Sequence, residues 1–222
     1  MSGDSKMKKP IICIPDIHGE ADKLESVLSN AYNKWGPYED WENLIFLGDM
    51  IDRGPKSNAV INMVRSLQEG LLNVVVLAGN HEWLCIDALT KQTADDVWLW
   101  KANGGGDKYD DETVKWMAAL PLKYAMDGFF FSHAPLPLGA KEPYSKEQLI
   151  WTYEGAFRYD PVTCMSWPDK VGVCGHIHAI REGILEPRFD PEYYFLDAGC
   201  GCFSGSPLVA VNVRDKEWVR SE

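Results

Sequence analysis

The chain has 222 residues, 45% hydrophobic and 12% aromatic, a globular composition that excludes a disordered chain. A formal net charge of −11 opposes nucleic-acid phosphates, and no apolar run approaches the roughly 20 residues of a membrane helix, so neither nucleic acid nor membrane is an expected partner. The start, Met1 to Pro10, is polar and lacks a secretory apolar stretch, and the six cysteines lack zinc-ribbon spacing, so a reducing cytoplasm is expected.

Lys9 to Pro15 holds an apolar β-type run that ends in a loop, Pro15 to Gly19. A helix is predicted from about Glu20, with Leu24, Val27, Leu28 and Ala31 on one face. Asn43 to Leu47 is the next predicted strand, ending in the loop Gly48 to Pro55. The helix after it carries Val60, Ile61, Val64 and Leu67 on one face and is expected to stop at Gly70. Asn73 to Ala78 is the third strand, with a loop at Gly79 opening another helix. This rhythm predicts an α/β sheet with right-handed crossovers and ligands at the carboxyl ends of the strands. Later strands are expected over Gly128 to Ser132, Val171 to Cys174, Tyr193 to Leu196 and Leu208 to Val213.

Residues 1–222 read as one domain, in which Thr90 to Lys170 roofs the site and chooses the substrate. The tryptophans Trp83, Trp98, Trp100, Trp116 and Trp151 read first as core and second as a cleft lining. Cys13, Cys85 and Cys174 read as buried core thiols, and Cys200 and Cys202 as free thiols rather than a redox pair.

All five histidines, His18, His81, His133, His176 and His178, lie just past an apolar run. A lone histidine there is more often structural. Five of five, accompanied by Asp16, Asp49, Asp52 and Asn80, point instead to divalent metals that accept nitrogen and oxygen donors. The set contains no thiolate, which disfavours a structural zinc finger.

The ordered segments Pro15-Asp16-Ile17-His18-Gly19, Gly48-Asp49-Met50-Ile51-Asp52-Arg53-Gly54, Gly79-Asn80-His81-Glu82, His133-Ala134 and Gly175-His176-Ile177-His178 resemble the motifs of the calcineurin-like metallophosphoesterases. The Gly-Asp-x-x-Asp-Arg-Gly form is similar to that of the phosphoprotein phosphatase branch, bacterial and phage serine/threonine phosphatases included. The resemblance runs from Ile11 to about Val213. It implies two mixed sheets packed as a sandwich and flanked by helices, with a dinuclear metal site at one edge. It also implies two divalent ions, manganese first, with iron, zinc, nickel or cobalt as alternatives. Asp16 and His18 resemble ligands of the first metal, Asp49 the bridging carboxylate, and Asn80, His133 and His176 ligands of the second. His81 resembles the general acid, oriented by Asp52, and Arg53 and Asn80 resemble binders of phosphate oxygens.

The implied reaction is hydrolysis of a phosphate monoester by a metal-bridging hydroxide, foremost as a serine/threonine protein phosphatase. The partner is then a phosphorylated protein or a small phosphoester. Hydrolysis of a diadenosine polyphosphate or a phosphodiester is the alternative, and a non-catalytic scaffold stands outside both. Four departures qualify the transfer. Pro15 replaces a usual glycine, and a proline-rich loop follows His133. His178 replaces a usual proline and reads as a further ligand of the first metal, with a group behind the ligands or one facing the substrate as the alternatives. The expected second phosphate-binding arginine is missing after Trp151, with Arg158 the nearest substitute and an exposed helix arginine the competing reading.

Overall fold

The computed structural model describes residues 8–136, 140–151, 170–181 and 184–222. Its strands, in chain order, are β1 (Ile11–Ile14), β2 (Asn43–Phe46), β3 (Val74–Val76), β4 (Lys123–Met126), β5 (Phe129–Ser132), β6 (Val171–Cys174), β7 (Ile180–Arg181), β8 (Ile184–Leu185), β9 (Arg188–Phe189), β10 (Tyr193–Phe195), β11 (Val209–Asn212) and β12 (Glu217–Arg220). Two five-stranded mixed sheets result, in the orders β12-β11-β1-β2-β3 and β4-β5-β6-β10-β9, with β7 and β8 forming a separate hairpin. The first sheet runs β1, β2 and β3 parallel and closes through β11 and β12, both antiparallel to their neighbours.

Strand β1 is apolar at every position because both of its faces are covered. Successive side chains point to opposite faces. Ile11 and Cys13 therefore join Ile45, Leu47, Phe131, Val173 and Val211 in the core between the two sheets. Ile12 and Ile14 join the core under the helices. Helix α1 (Ala21–Trp35) buries Ala21, Leu24, Val27, Leu28 and Ala31, a stripe of helical period. Helix α2 (Ser57–Gly70) buries Val60, Ile61 and Val64 beside them. Helices α3 (Asn80–Thr90), α4 (Ala94–Ala102), α5 (Asp111–Ala119) and α6 (Lys146–Ile150) complete the helical set among the described residues.

The predicted sandwich of two mixed sheets flanked by helices is the observed one. Gly70 does not end α2 by a left-handed turn. It is the last helical residue, and the Leu71 N–H still reaches the Leu67 carbonyl. Strands β4, β7, β8, β9 and β12 are additional to the prediction. Of these, β4 and β12 are sheet edges with exposed and half-buried residues, so neither presents a continuous apolar run.

Candidate metal centre

The loops after β1, β2 and β3 converge because their backbones are laced together. The Ile17 and His18 N–H groups both donate to the Asp49 carbonyl, at 3.0 and 2.9 Å, and Gly19 N–H donates to the Met50 carbonyl at 2.9 Å. The lacing holds His18, Asp49, Asp52 and Arg53 at positive φ, and His176 shares that conformation. None is glycine, so each carries a steric cost of the kind that clusters at functional sites. Pro15 is buried at the head of this loop, and the donors that tie the loop down come from the residues after it.

Glu82 locks two of the loops from below. Its Oε2 accepts from Asp49 N–H at 2.9 Å and Gly79 N–H at 2.8 Å, and its Oε1 accepts from Met50 N–H at 2.8 Å. The backbone at Gly79 passes so close that a Cβ there would lie 2.2 Å from Asp49 Oδ1. At Gly175 a Cβ would lie 2.1 Å from Asp16 Oδ1. The motif glycines thus make room for carboxylates.

His18 Nδ1 donates to the Ile51 carbonyl at 3.1 Å, and His133 Nδ1 donates to the Leu47 carbonyl at 2.9 Å. Both rings therefore turn an Nε2 lone pair inward. Asp49 Oδ2 lies among three of these nitrogens, 3.7 Å from His18 Nε2, 3.4 Å from His133 Nε2 and 3.9 Å from His81 Nε2. Two donor triads share Asp49: His18, Asp49 and His81, and Asp49, His133 and His176. Asn80 Oδ1 lies 2.8 Å from His133 Nε2, and His176 Nδ1 lies 3.2 Å from the same atom. Asp16 Oδ2 lies 3.9 Å from His18 Nε2, and both Asp16 oxygens accept from His176 N–H.

His81 belongs to the first triad by proximity, yet its Nδ1 is committed to Asp52 Oδ2 at 2.8 Å. Its Nε2 is buried and has no hydrogen-bond partner among the described residues. Arg53 is exposed at the mouth, where its Nη1 reaches His18 Nε2 at 2.7 Å and Cys202 Sγ at 2.6 Å. His178 stands apart from both triads. Its Nε2 is 3.5 Å from Asp197 Oδ2, and its ring packs edge-on against Phe203. Arg158 lies outside the described residues.

Asp16, Asp49, Asp52, Glu82 and Asp197 are all at most 2% exposed, and the cationic side chain at their mouth is Arg53. Burial raises Asp16 to about 6 and Glu82 to about 7, with Asp49 adding repulsion to each. Burial, with repulsion from Asp16, also raises Asp197 well above the usual range. Burial works against charge on His133, but Asp49 and Asp16 reverse that and push it up to about 10. So much buried negative charge is costly without cations. Nitrogen donors facing one shared carboxylate are the set that borderline divalent ions take. The residues present therefore fit divalent ions, and Asp16, His18, Asp49, Asn80, His133 and His176 are the candidate donors.

Residues 9–180 match the calcineurin-like phosphoesterase family, and the chain belongs to it. It is 27% identical over 52% of its length to a symmetrical bis(5'-nucleosyl)-tetraphosphatase of a Janthinobacterium strain, covering 41% of that protein. It is 31% identical over 46% of its length to serine/threonine-protein phosphatase 1 of Salmonella typhimurium, covering 42% of that protein. The chain thus matches less than half the length of these curated relatives. A crystal structure provisionally described as a diadenosine tetraphosphatase shares the fold, with a TM-score of 0.68 at 18% identity, covering 97% of this chain and 94% of that one.

The sequence motifs name every donor in the two triads. They give no role to Glu82, Trp100 or Asp197. Glu82 is the last residue of the third motif segment, but the resemblance assigns it no role. Of the tryptophans, Trp100 is core at 4% exposed, Trp83, Trp116 and Trp151 are half-buried, and Trp98 is 69% exposed. Residues two apart on a helix do not share a face, so α4 cannot bury Trp98 and Trp100 on one side. Cys13, Cys85 and Cys174 are buried as expected, and Cys200 and Cys202 are free.

Proposed function

We propose that the chain hydrolyses phosphate monoesters, with phosphoserine and phosphothreonine proteins as the leading substrate class. The observation that carries this reading is His81: Nδ1 anchored to Asp52 at 2.8 Å, and Nε2 buried, without a hydrogen-bond partner among the described residues and facing the Asp49 carboxylate that two donor triads share. When bound, two divalent ions, manganese first, supply Lewis acidity and a water acidified to near neutral pH. Asp16, His18 and Asp49 would hold the first ion, and Asp49, Asn80, His133 and His176 would hold the second.

Arg53 is exposed at the mouth and offers its planar fork to two phosphoryl oxygens. Asn80 turns its amide N–H toward a third. His81 Nε2 gives its proton to the leaving oxygen. Burial depresses the basicity of His81, but Asp49 and Asp52 outweigh that and leave its proton affinity above that of free histidine. Asp52 keeps the ring in the tautomer and orientation that the transfer requires. His178 acts from behind the ligands, held by Asp197.

A second reading has its own support. The match to symmetrical bis(5'-nucleosyl)-tetraphosphatases extends over 52% and 57% of the chain in two relatives. A dinucleoside polyphosphate is hydrolysed by the same groups, with a nucleotide phosphate as leaving group. The intact dyad and donor set argue against a non-catalytic scaffold.

The deciding experiment compares p-nitrophenyl phosphate, a phosphoserine peptide, diadenosine tetraphosphate and bis-p-nitrophenyl phosphate on manganese-loaded protein. The highest kcat/KM on the phosphopeptide is expected. Preference for the dinucleotide would replace the leading reading with the second. With His81→Asn, hydrolysis of an alkyl phosphate is expected to slow by about 10² to 10⁴-fold with metal retained. An unchanged alkyl phosphate rate would remove His81 from its role.

A further inference from the structure

Asp52 has a second partner besides His81. The Trp100 indole N–H lies 3.1 Å from each of the Asp52 carboxylate oxygens. Trp100 is in helix α4, far along the chain from the Asp52 loop, and belongs to the buried core. As a neutral donor, an indole holds the carboxylate without bringing a charge that competes with the His81 ring.

The turn Asn103-Gly104-Gly105 fixes the indole in place. Asn103 N–H and Gly105 N–H both donate to the Trp100 carbonyl, at 3.1 and 3.0 Å. A Cβ on Gly105 would lie 2.0 Å from Trp100 Nε1, so the bare backbone packs flat against the ring. The same turn reaches the other side of the site, where the Gly104 carbonyl accepts from Arg53 N–H at 3.1 Å. One turn of the roof therefore braces both the Arg53 backbone and, through Trp100, the Asp52–His81 pair.

We propose that Trp100 is a positioning residue for proton transfer: its indole N–H fixes the Asp52 carboxylate, and Asp52 in turn aims His81. The inference rests on His81 being the proton donor. A tryptophan that merely fills the core would be replaced well by phenylalanine, which keeps most of the ring and loses the N–H.

The test pairs Trp100→Phe with His81→Asn on manganese-loaded protein, using p-nitrophenyl phosphate and an alkyl phosphate. The aryl substrate has a good leaving group and needs little protonation. Trp100→Phe is expected to lower alkyl phosphate kcat by about 10- to 100-fold, the worth of one hydrogen bond to a charged group. Aryl phosphate kcat should fall less than about threefold, with KM and metal content held. Equal losses on both substrates, or none, would reduce Trp100 to a packing residue and overturn the inference. If His81→Asn itself fails to discriminate the two substrates, the fault lies with the proton-donor reading.

A readout independent of turnover is the indole ¹H–¹⁵N resonance of Trp100, identified by its absence in Trp100→Phe. Asp52→Asn should move it upfield, because a carboxylate acceptor has been lost. An unmoved resonance would also overturn the inference. Should Trp100→Phe not fold, Gly105→Ala displaces the indole while keeping it. The same leaving-group split is expected from that variant, and equal rates or equal losses there would count against Trp100 in the same way.

Discussion

The strand-end loops and the roof above them are built on opposite principles. The loops after β1, β2 and β3 bury their acidic and histidine side chains, are laced by backbone hydrogen bonds and are held at positive φ at His18, Asp49, Asp52 and Arg53. In the roof, α4 exposes Trp98 and Leu99 and reaches the centre through Trp100 and the Gly104 carbonyl. Loops that commit every backbone group to shape can hold donor atoms where charge must be controlled. A helix that touches them at two points can change its outer face without disturbing that geometry. On the proposed reading, the chemistry belongs to the loops and substrate choice to the roof. Four substitutions would break or sharpen it, from the largest expected effect downward.

Asp49→Asn strikes the shared donor. Its Oδ2 faces three histidine nitrogens, and the loss of its charge removes the carboxylate common to both triads. Metal analysis should find both ions gone, and kcat/KM should drop by on the order of 10³-fold or more. Retention of two ions with full activity would show that Asp49 does not join the triads functionally.

His178→Ala tests the outer part of the centre. If His178 acts from behind the ligands through Asp197, metal affinity should fall by roughly 10- to 100-fold, read by calorimetric titration of manganese, while the fold persists. Complete loss of one ion would make His178 a direct ligand, and unchanged affinity would remove it from the centre.

The division between loops and roof is also the division between what the sequence discloses and what it hides. Asp16, His18, Asp49, Asn80, His81, His133 and His176 are legible because each sits next to the apolar run that becomes its strand. Chemistry and backbone position are there written in one short segment. Glu82, Trp100 and Asp197 are not legible in their roles, although Glu82 stands within the third motif. Their partners are the backbone N–H groups of another loop, the carboxylate of Asp52 and the ring of His178, which only the folded chain brings near. The edge strands β4 and β12 escaped for the converse reason. They carry no unusual residue and only half a hydrophobic face.

Glu82→Gln separates shape from chemistry within the loops. Glutamine keeps one acceptor oxygen but turns an NH₂ toward N–H groups that had a carboxylate, leaving buried donors unsatisfied. The expected cost is about 1–3 kcal/mol, with thermal unfolding about 2–4 °C lower for each kcal/mol. An unchanged melting temperature would mean that the backbone lacing alone holds the loops.

Trp98→Ala carries the smallest expected effect and bears most directly on the roof. Trp98 is 69% exposed, whereas Trp100, two residues on, is 4% exposed and bound to Asp52. Truncating an exposed side chain that supports nothing beneath it should change stability by no more than about 0.5 kcal/mol. It should leave p-nitrophenyl phosphate kinetics as they were, because that substrate needs only the centre. The informative quantity is KM for the larger substrates. A rise for diadenosine tetraphosphate alone would place a nucleobase against the indole, since every base offers a face for stacking, and would favour the dinucleotide reading. A rise for the phosphopeptide alone would place a protein substrate on the same face of α4. If both KM values hold, the outer face of α4 takes no part in recognition, and selection must come from elsewhere in residues 90–170.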